Sequence, residues 1–141
     1  MSLGFDGSLQ MSSLKLGYVI HFVPNVMEAV VFYQKAFGIT LRYIHQNGQF
    51  AQMETGDTGL CFCDETVAQE GTSFDPVRPG RTPPGTEIAF VAEDVAAAFN
   101  RAVSAGARVV LEPVKQPWGQ VMSYVRDLNG FLVEICSPMD R

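Results

Sequence analysis

The chain has 141 residues, of which 47% are hydrophobic and 18% are charged, and its formal net charge is -5. This length is typical of one domain, and the hydrophobic content excludes a disordered chain. The pI near 4.9 argues against nucleic acids and anionic membranes as partners, because both require a basic protein face. No apolar run approaches the ~18 residues that a membrane helix needs.

The N-terminal residues 1–14 are rich in Gly and Ser and lack the basic and apolar segments of a secretory signal. We expect them to form a flexible tail or to be a cloning remnant, and we expect residues 15–141 to form one domain. The cysteines Cys61, Cys63 and Cys136 are an odd, sparse set and therefore a poor disulfide framework. The simplest interpretation is a reduced, cytoplasmic protein.

The first module is predicted over about residues 16–65 and begins with an apolar strand at Tyr18. A helix with a one-sided apolar stripe follows the strand. Asn25 is a suitable N-cap for this helix, and Gly38 suits the left-handed position at its end. Three short strands come next, and the Asn47-Gly48 pair predicts a hairpin between the first two.

Residues 66–85 are rich in Pro, Gly, Arg and Ser, which predicts a connecting loop. The second module, about residues 86–138, repeats the order of the first. A strand starts near Glu87, Asp94 caps a helix that ends before Gly106, and three strands follow. Both halves therefore have the pattern βαβββ. One such unit cannot bury both its helix stripe and the far face of its sheet, so we expect the two modules to share one domain.

These patterns resemble the vicinal oxygen chelate superfamily, which includes glyoxalase I, extradiol dioxygenases, and fosfomycin- and bleomycin-resistance proteins. The similar segments are residues 23–38 in the first half and residues 87–95, 105–107 and 124–135 in the second. The resemblance covers about residues 16–138. It implies an α+β, glyoxalase-like fold, in which the two βαβββ modules form a curved mixed sheet that encloses a cup-shaped cavity.

In metal-dependent members of this superfamily, each module supplies one ligand from its first strand and one from its last. Carried over by position, these places hold Tyr18 and Cys63 in the first module and Glu87 and Glu134 in the second. The usual ligands are His, Glu or Gln, so the resemblance implies an incomplete set in which only the glutamates match. A divalent metal (Zn, Mn, Fe or Ni) on Glu87 and Glu134 is one interpretation.

The favoured alternative is that the protein binds no cofactor. The two glutamates would then be the polar lining of a wet cavity or would pair with an arginine such as Arg126. In the same interpretation Cys63 behaves as a small buried hydrophobic residue.

The two histidines are expected to have different surroundings. His21 lies three residues after Tyr18, so strand alternation turns its side chain to the opposite face, towards the helices. We expect a packed, hydrogen-bonded histidine there. A shift of the strand register by one residue would instead make His21 the best metal ligand of the chain. His45 lies near the hairpin and is expected to face solvent.

Strand alternation and the resemblance together predict the residues that line the cup. Glu134 is the expected catalytic residue. The expected substrate-binding residues are Tyr18, Ile20, Phe22, Glu87, Trp118, Met122 and Tyr124. This aromatic and apolar lining, with two carboxylates inside, suits a neutral or cationic organic molecule. For Trp118, closing the pocket and ordinary packing at the sheet edge are equally supported.

Three functions remain open. The first is a metal-dependent lyase or dioxygenase that chelates vicinal oxygens of its substrate. The second is a non-catalytic binding protein of the bleomycin-resistance type that sequesters a cationic aromatic compound. The third is a metal-free enzyme with Glu134 as a general base. Because related proteins often dimerise, the resemblance also implies a homodimer, and residues 66–85 are long enough to be a hinge for module exchange.

Overall fold

The structure is a computed structural model that describes residues 13–139. Of the predicted N-terminal tail, residues 1–12 lie outside the described residues. In chain order the elements are β1 (Tyr18–Val23), α1 (Val26–Phe37), β2 (Leu41–Ile44), β3 (Phe50–Met53), β4 (Gly59–Asp64), α2 (Glu65–Gly71), β5 (Ile88–Val91), α3 (Val95–Ser104), β6 (Arg108–Lys115), β7 (Val121–Arg126) and β8 (Leu132–Cys136). None of the helices in this part of the chain is long and apolar enough to cross a membrane.

The strands form two four-stranded mixed sheets, with the orders β1-β4-β3-β2 and β5-β8-β7-β6. In each sheet the first strand runs parallel to the last strand of its module, and the other pairs are antiparallel. This arrangement confirms the α+β fold of two βαβββ modules. Each module has its own ladder of backbone hydrogen bonds, so the wall of the predicted cup consists of two adjoining sheets.

The two long helices begin where the sequence predicts. The Asn25 side chain accepts a hydrogen bond from the backbone N–H of Glu28 at 2.9 Å, and Asp94 accepts one from Ala97 at 3.0 Å. Helix α1 ends at Gly38, whose φ of 69° lies in the left-handed region that favours glycine. These caps satisfy backbone groups that a helix end leaves without partners.

The prediction of a loop over residues 66–85 is wrong at its beginning, because helix α2 occupies Glu65–Gly71. Asp64 caps this helix and accepts a hydrogen bond from the backbone N–H of Thr66 at 2.8 Å. Good helix formers follow the cap, and the prolines and most of the glycines come only after residue 71. The average composition of the segment therefore predicted a loop although its first residues form a short helix. The rest of the segment, residues 72–85, lies in the linker between the modules.

The core lies between the helices and the inner faces of the two sheets, and helix α1 packs against helix α3. A buried polar contact also joins the modules there. The Tyr33 hydroxyl donates to Oδ2 of Asp127 at 2.6 Å. Oδ1 of Asp127 accepts the backbone N–H groups of Asn129, Gly130 and Phe131 at 2.8, 2.9 and 3.0 Å. Burial raises the pKa of both Asp127 and Tyr33, whereas the hydrogen bonds that Asp127 accepts act in the opposite direction on its own pKa.

The linker is held by two arginines. Arg78 donates two hydrogen bonds to the buried carboxylate of Glu65, at 2.8 and 2.9 Å. Arg126 donates to four backbone carbonyl oxygens, those of Arg78, Pro79, Arg81 and Gly130. The suggested pairing of Arg126 with Glu87 or Glu134 is therefore wrong, because the guanidinium group is engaged by the linker and by the β7–β8 turn.

Candidate functional site

The cup face is defined here as the face of both sheets that is turned away from helices α1 and α3. On strand β1, Tyr18 and Ile20 are 61% and 43% exposed on this face, whereas Val23 on the opposite face is fully buried. On strand β8 the alternation places Glu134 and Cys136 on the cup face and Val133 and Ile135 in the core. The predicted alternation of both strands is therefore confirmed.

Glu87, Tyr124 and Glu134 meet on the cup face of the second sheet. Tyr124 lies directly opposite Glu134 in the β7–β8 ladder, and Glu87 immediately precedes β5. The Tyr124 Oη atom is 3.2 Å from Oε1 of Glu87 and 3.2 Å from Oε1 of Glu134. One hydroxyl proton thus serves two carboxyl groups, which are held next to each other by a single tyrosine.

The pKa values of Glu87 and Tyr124 are shifted because these side chains and Glu134 lie close together and are partly buried. Burial, together with the neighbouring Glu134 carboxyl group, raises the pKa of Glu87. Burial and the two carboxylates raise the pKa of Tyr124 to about 12, so its hydroxyl stays protonated at neutral pH. Two carboxyl groups without a basic partner make this part of the cup face a favourable place for a positive charge.

A cavity of about 590 Å³ opens beside Glu134, and we call it the carboxylate pocket. Its lining is largely apolar and includes Val91, Trp118, Met122 and Met139. Trp118 is 55% exposed, and its indole N–H donates to Oε1 of Gln120 at 3.0 Å. Gln120 is itself buried and donates to the backbone carbonyl of residue 137 at 2.9 Å. This contact holds the indole ring at the mouth of the pocket.

A second, smaller cavity of about 230 Å³ lies between the edges of β1 and β5, and we call it the inter-module slot. Of the predicted substrate-binding residues, Ile20, Phe22 and Glu87 line this slot, whereas Trp118 and Met122 line the carboxylate pocket. Tyr124 lines neither cavity. Tyr18 lines neither of these two cavities. Its exposed ring lies at the start of β1, in register with Gly59.

The side chains at the four metal-ligand positions do not fit a metal site. Within residues 13–139, no group of three or more His, Cys, Asp or Glu side chains is close enough together to hold a metal ion. The Cys63 sulfur points to the backbone carbonyl of Asp64 at 3.6 Å, and burial raises the pKa of the thiol. Because thiolate is the form that binds metal, a raised pKa disfavours ligation. We therefore assign no step of any reaction to a metal ion.

His21 is buried, as the alternation predicts, and its ring stacks on Phe131 with a centroid distance of 3.8 Å and an interplanar angle of 5°. The expected hydrogen bond is not made at Nδ1, which is buried without a partner among the described residues. Desolvation lowers the pKa of His21 to about 4, so the ring is neutral at neutral pH. His45 is exposed, as predicted.

Some lining residues were not singled out from the sequence. Cys136 lies two residues after Glu134 and shares its face, so strand alternation could have identified it. Burial and the neighbouring carboxyl groups raise the pKa of Cys136 to about 11, which makes it a thiol rather than a nucleophile. Phe74 and Met139 lie outside the strands, and their approach to the cavities depends on loop paths that no local pattern shows.

The comparisons with known proteins agree with this geometry. The sequence matches the family model described as Glyoxalase/Bleomycin resistance protein/Dioxygenase superfamily over residues 15–135. The chain belongs to this superfamily and has the vicinal oxygen chelate fold. No curated protein matches the chain.

Three solved structures illustrate the similarity of fold. A glyoxalase-related enzyme from Fulvimarina pelagi is 19% identical with a TM-score of 0.76, over 88% of this chain and 88% of that one. TioX from Micromonospora sp. ML1 is 24% identical with a TM-score of 0.67, over 87% and 98% of the two chains. A protein of unknown function from Agrobacterium tumefaciens is 21% identical with a TM-score of 0.73, over 94% and 100%. At these identities the matches establish the fold only.

Proposed function

We propose that this protein is a non-catalytic binding protein for a small organic cation, which it holds in the carboxylate pocket. The observation that carries the proposal is the Tyr124 hydroxyl at 3.2 Å from both Glu87 and Glu134. Two carboxyl groups share one hydroxyl proton, and neither has an arginine or lysine partner among the described ion pairs. A ligand with a positive charge supplies the missing counter-charge.

The rest of the pocket supports an aromatic or apolar body for this ligand. A volume of about 590 Å³ is in the range of cavities that hold drug-sized molecules. The exposed face of Trp118 can stack on a ring or contact a cation, and Met122 and Met139 adapt to irregular shapes. An anionic ligand is disfavoured, because it would face Glu134 while Arg126 is held by the linker.

The alternative is a lyase or dioxygenase, and it requires chemistry that the donor set does not support. The four superfamily ligand positions supply two neighbouring glutamates, one half-buried thiol and one exposed tyrosine. In the proposal Glu134 is the ion-pair partner of the ligand. Its catalytic role, predicted from the sequence, stays a prediction.

The proposal is tested by titration with benzyltrimethylammonium and with neopentylbenzene, its uncharged isostere. Trp118 is the single tryptophan of the chain, so its fluorescence reports directly on the pocket. We expect the ammonium compound to bind at least ~10-fold more tightly than the isostere, which corresponds to ~1.4 kcal/mol. The Glu134→Gln variant should lose most of this preference.

The matched control is Glu70→Gln, which removes an exposed carboxylate of helix α2 and should leave both affinities unchanged. Equal affinities for the charged and uncharged compounds would refute the proposal. Turnover of an enolisable or catecholic substrate by the purified protein, abolished in Glu134→Gln, would favour the enzyme alternative instead.

We also propose a homodimer in a reducing compartment such as the cytoplasm, with no nucleic acid or membrane as partner. All three cysteines are free. Strand β6 is the edge of the second sheet and carries four aliphatic side chains that are 40–51% exposed, namely Val109, Val110, Leu111 and Val114. An unprotected edge strand of this kind favours pairing with another chain. Light scattering distinguishes the dimer, whose mass is twice 15.4 kDa, from a monomer.

A further inference from the structure

The inter-module slot has features that the carboxylate pocket does not share. It lies between β1 and β5, and the linker covers one side of it. Three phenylalanines from different parts of the chain line it: Phe22 of β1, Phe74 of the linker and Phe131 before β8. The rings of Phe22 and Phe74 are in contact, with centroids 4.6 Å apart. The slot therefore offers an aromatic wall that both modules and the linker build together.

His21 is the buried polar side chain among the residues that line the slot. It is 92% buried (8% exposed), lines the slot, and has Nδ1 without a hydrogen-bond partner among the described residues. A neutral imidazole has one nitrogen that donates and one that accepts a hydrogen bond. Leaving such a group buried and unsatisfied is unfavourable, because the hydrogen bond that it makes with water in the unfolded chain is lost and not replaced. The stacked Phe131 ring packs against the imidazole but forms no hydrogen bond with it, so Nδ1 still lacks a hydrogen-bond partner among the described residues.

The volume and charge of the slot restrict which ligands can enter it and form a hydrogen bond with His21. A cavity of about 230 Å³ is smaller than drug-sized pockets and larger than the ~150 Å³ cavity that admits benzene. It therefore suits one aromatic ring with a small substituent. Asp75 and Glu87 line the exposed part of the slot, so an anionic substituent is disfavoured.

We infer that the inter-module slot is a second binding site, distinct from the carboxylate pocket, that takes a neutral one-ring phenol. The ring packs among Phe22, Phe74 and Phe131, and the hydroxyl group forms a hydrogen bond with a ring nitrogen of His21. The phenol is both donor and acceptor, so it can satisfy either tautomer of the imidazole.

The experiment uses the ¹⁵N-labelled full chain and compares phenol, toluene and benzoate, three compounds of similar size. We expect phenol to bind ~5–10-fold more tightly than toluene, the usual gain from one hydrogen bond to a buried group. Benzoate should bind most weakly. Phenol should also move the ¹⁵N resonances of the His21 ring and give intermolecular NOEs to Phe131, whereas the His45 ring should not respond.

Variants separate this inference from the proposed function. His21→Leu should bind phenol and toluene equally, and Trp118→Ala, which alters the carboxylate pocket, should leave the phenol affinity unchanged. Loss of phenol binding in Trp118→Ala would place the ligand in the other cavity and overturn the inference. If His21→Leu does not fold, the His21 resonances of the unaltered protein decide the question. No change on adding phenol, or a bound water as the partner of Nδ1, refutes the inference.

Discussion

The neutral, buried His21 predicts a loss of stability in mild acid. In the unfolded chain this imidazole takes up a proton near its ordinary pKa of 6.5, whereas in the folded protein desolvation lowers the pKa to about 4. Between these values the unfolded state binds one more proton than the folded state, so the free energy of unfolding falls as the pH falls. A difference of about 2.5 pH units corresponds to roughly 3 kcal/mol at ~1.36 kcal/mol per unit.

The assay is urea unfolding at intervals between pH 7.5 and 4, followed by circular dichroism, for the unaltered protein and two variants. His21→Leu should lose this pH dependence, and His45→Leu, in which the exposed histidine is replaced, should keep it. The chain has only these two histidines, so the comparison is complete. Raised carboxyl pKa values at Glu87 and Asp127 act in the opposite direction, but they are common to all three proteins and cancel in the difference.

The reasoning would be refuted by parallel pH profiles for the unaltered protein and His21→Leu. Such a result would mean that His21 titrates with nearly the same pKa in the folded and unfolded states. That would require water to reach the ring, which contradicts its burial against Phe131. A profile that changes only in His45→Leu would assign the acid sensitivity to the hairpin.

Three further predictions concern the contacts that join the modules. Asp127→Ala should lower the free energy of unfolding by ~3 kcal/mol or more, because it leaves the backbone N–H groups of Asn129 and Phe131 and the Tyr33 hydroxyl without an acceptor. Tyr33→Phe, which removes one donor, should cost only ~1 kcal/mol in the same denaturant titration. Gly130→Ala should lower the melting temperature by several degrees, since φ is +100° and the new Cβ would lie 2.6 Å from the Arg78 carbonyl oxygen. Arg126→Met should accelerate proteolysis within residues 78–85 several-fold without altering the far-UV spectrum. An unchanged rate would show that its three contacts with linker carbonyl groups do not hold the linker.

Much of the fold could be predicted because its signals are local. Asn25, Gly38 and Asp94 mark helix ends through hydrogen bonds that span only a few residues, and the alternation in β1 separates Tyr18 from His21 within three positions. Helix α2 was missed for the converse reason. Its cap at Asp64 is equally local, but the composition of the following twenty residues is dominated by the prolines and glycines beyond the helix.

The candidate site could be predicted only in part, since its contacts are distant in sequence. Position and alternation indicated that Glu87, Tyr124 and Glu134 share a face, and the structure brings their oxygen atoms together. The sequence contained no sign that Arg126 is held by the linker. It also did not show that Nδ1 of His21 lacks a hydrogen-bond partner in a cavity that three phenylalanines line. Both depend on the path of residues 72–86, which is set by contacts with each module rather than by its own pattern.

The separation of the two sheets has a mechanical consequence. In the described part of the chain no strand ladder passes from one module to the other, and the modules are joined by helix packing, by the Tyr33–Asp127 contact and by the linker. A change in the angle between the two sheets therefore requires no hydrogen bond between strands to break. The width of the opening between β1 and β5 thus depends on the helix packing, the Tyr33–Asp127 contact and the linker, and substitutions in the helix interface should change it while the residues of both pockets stay the same.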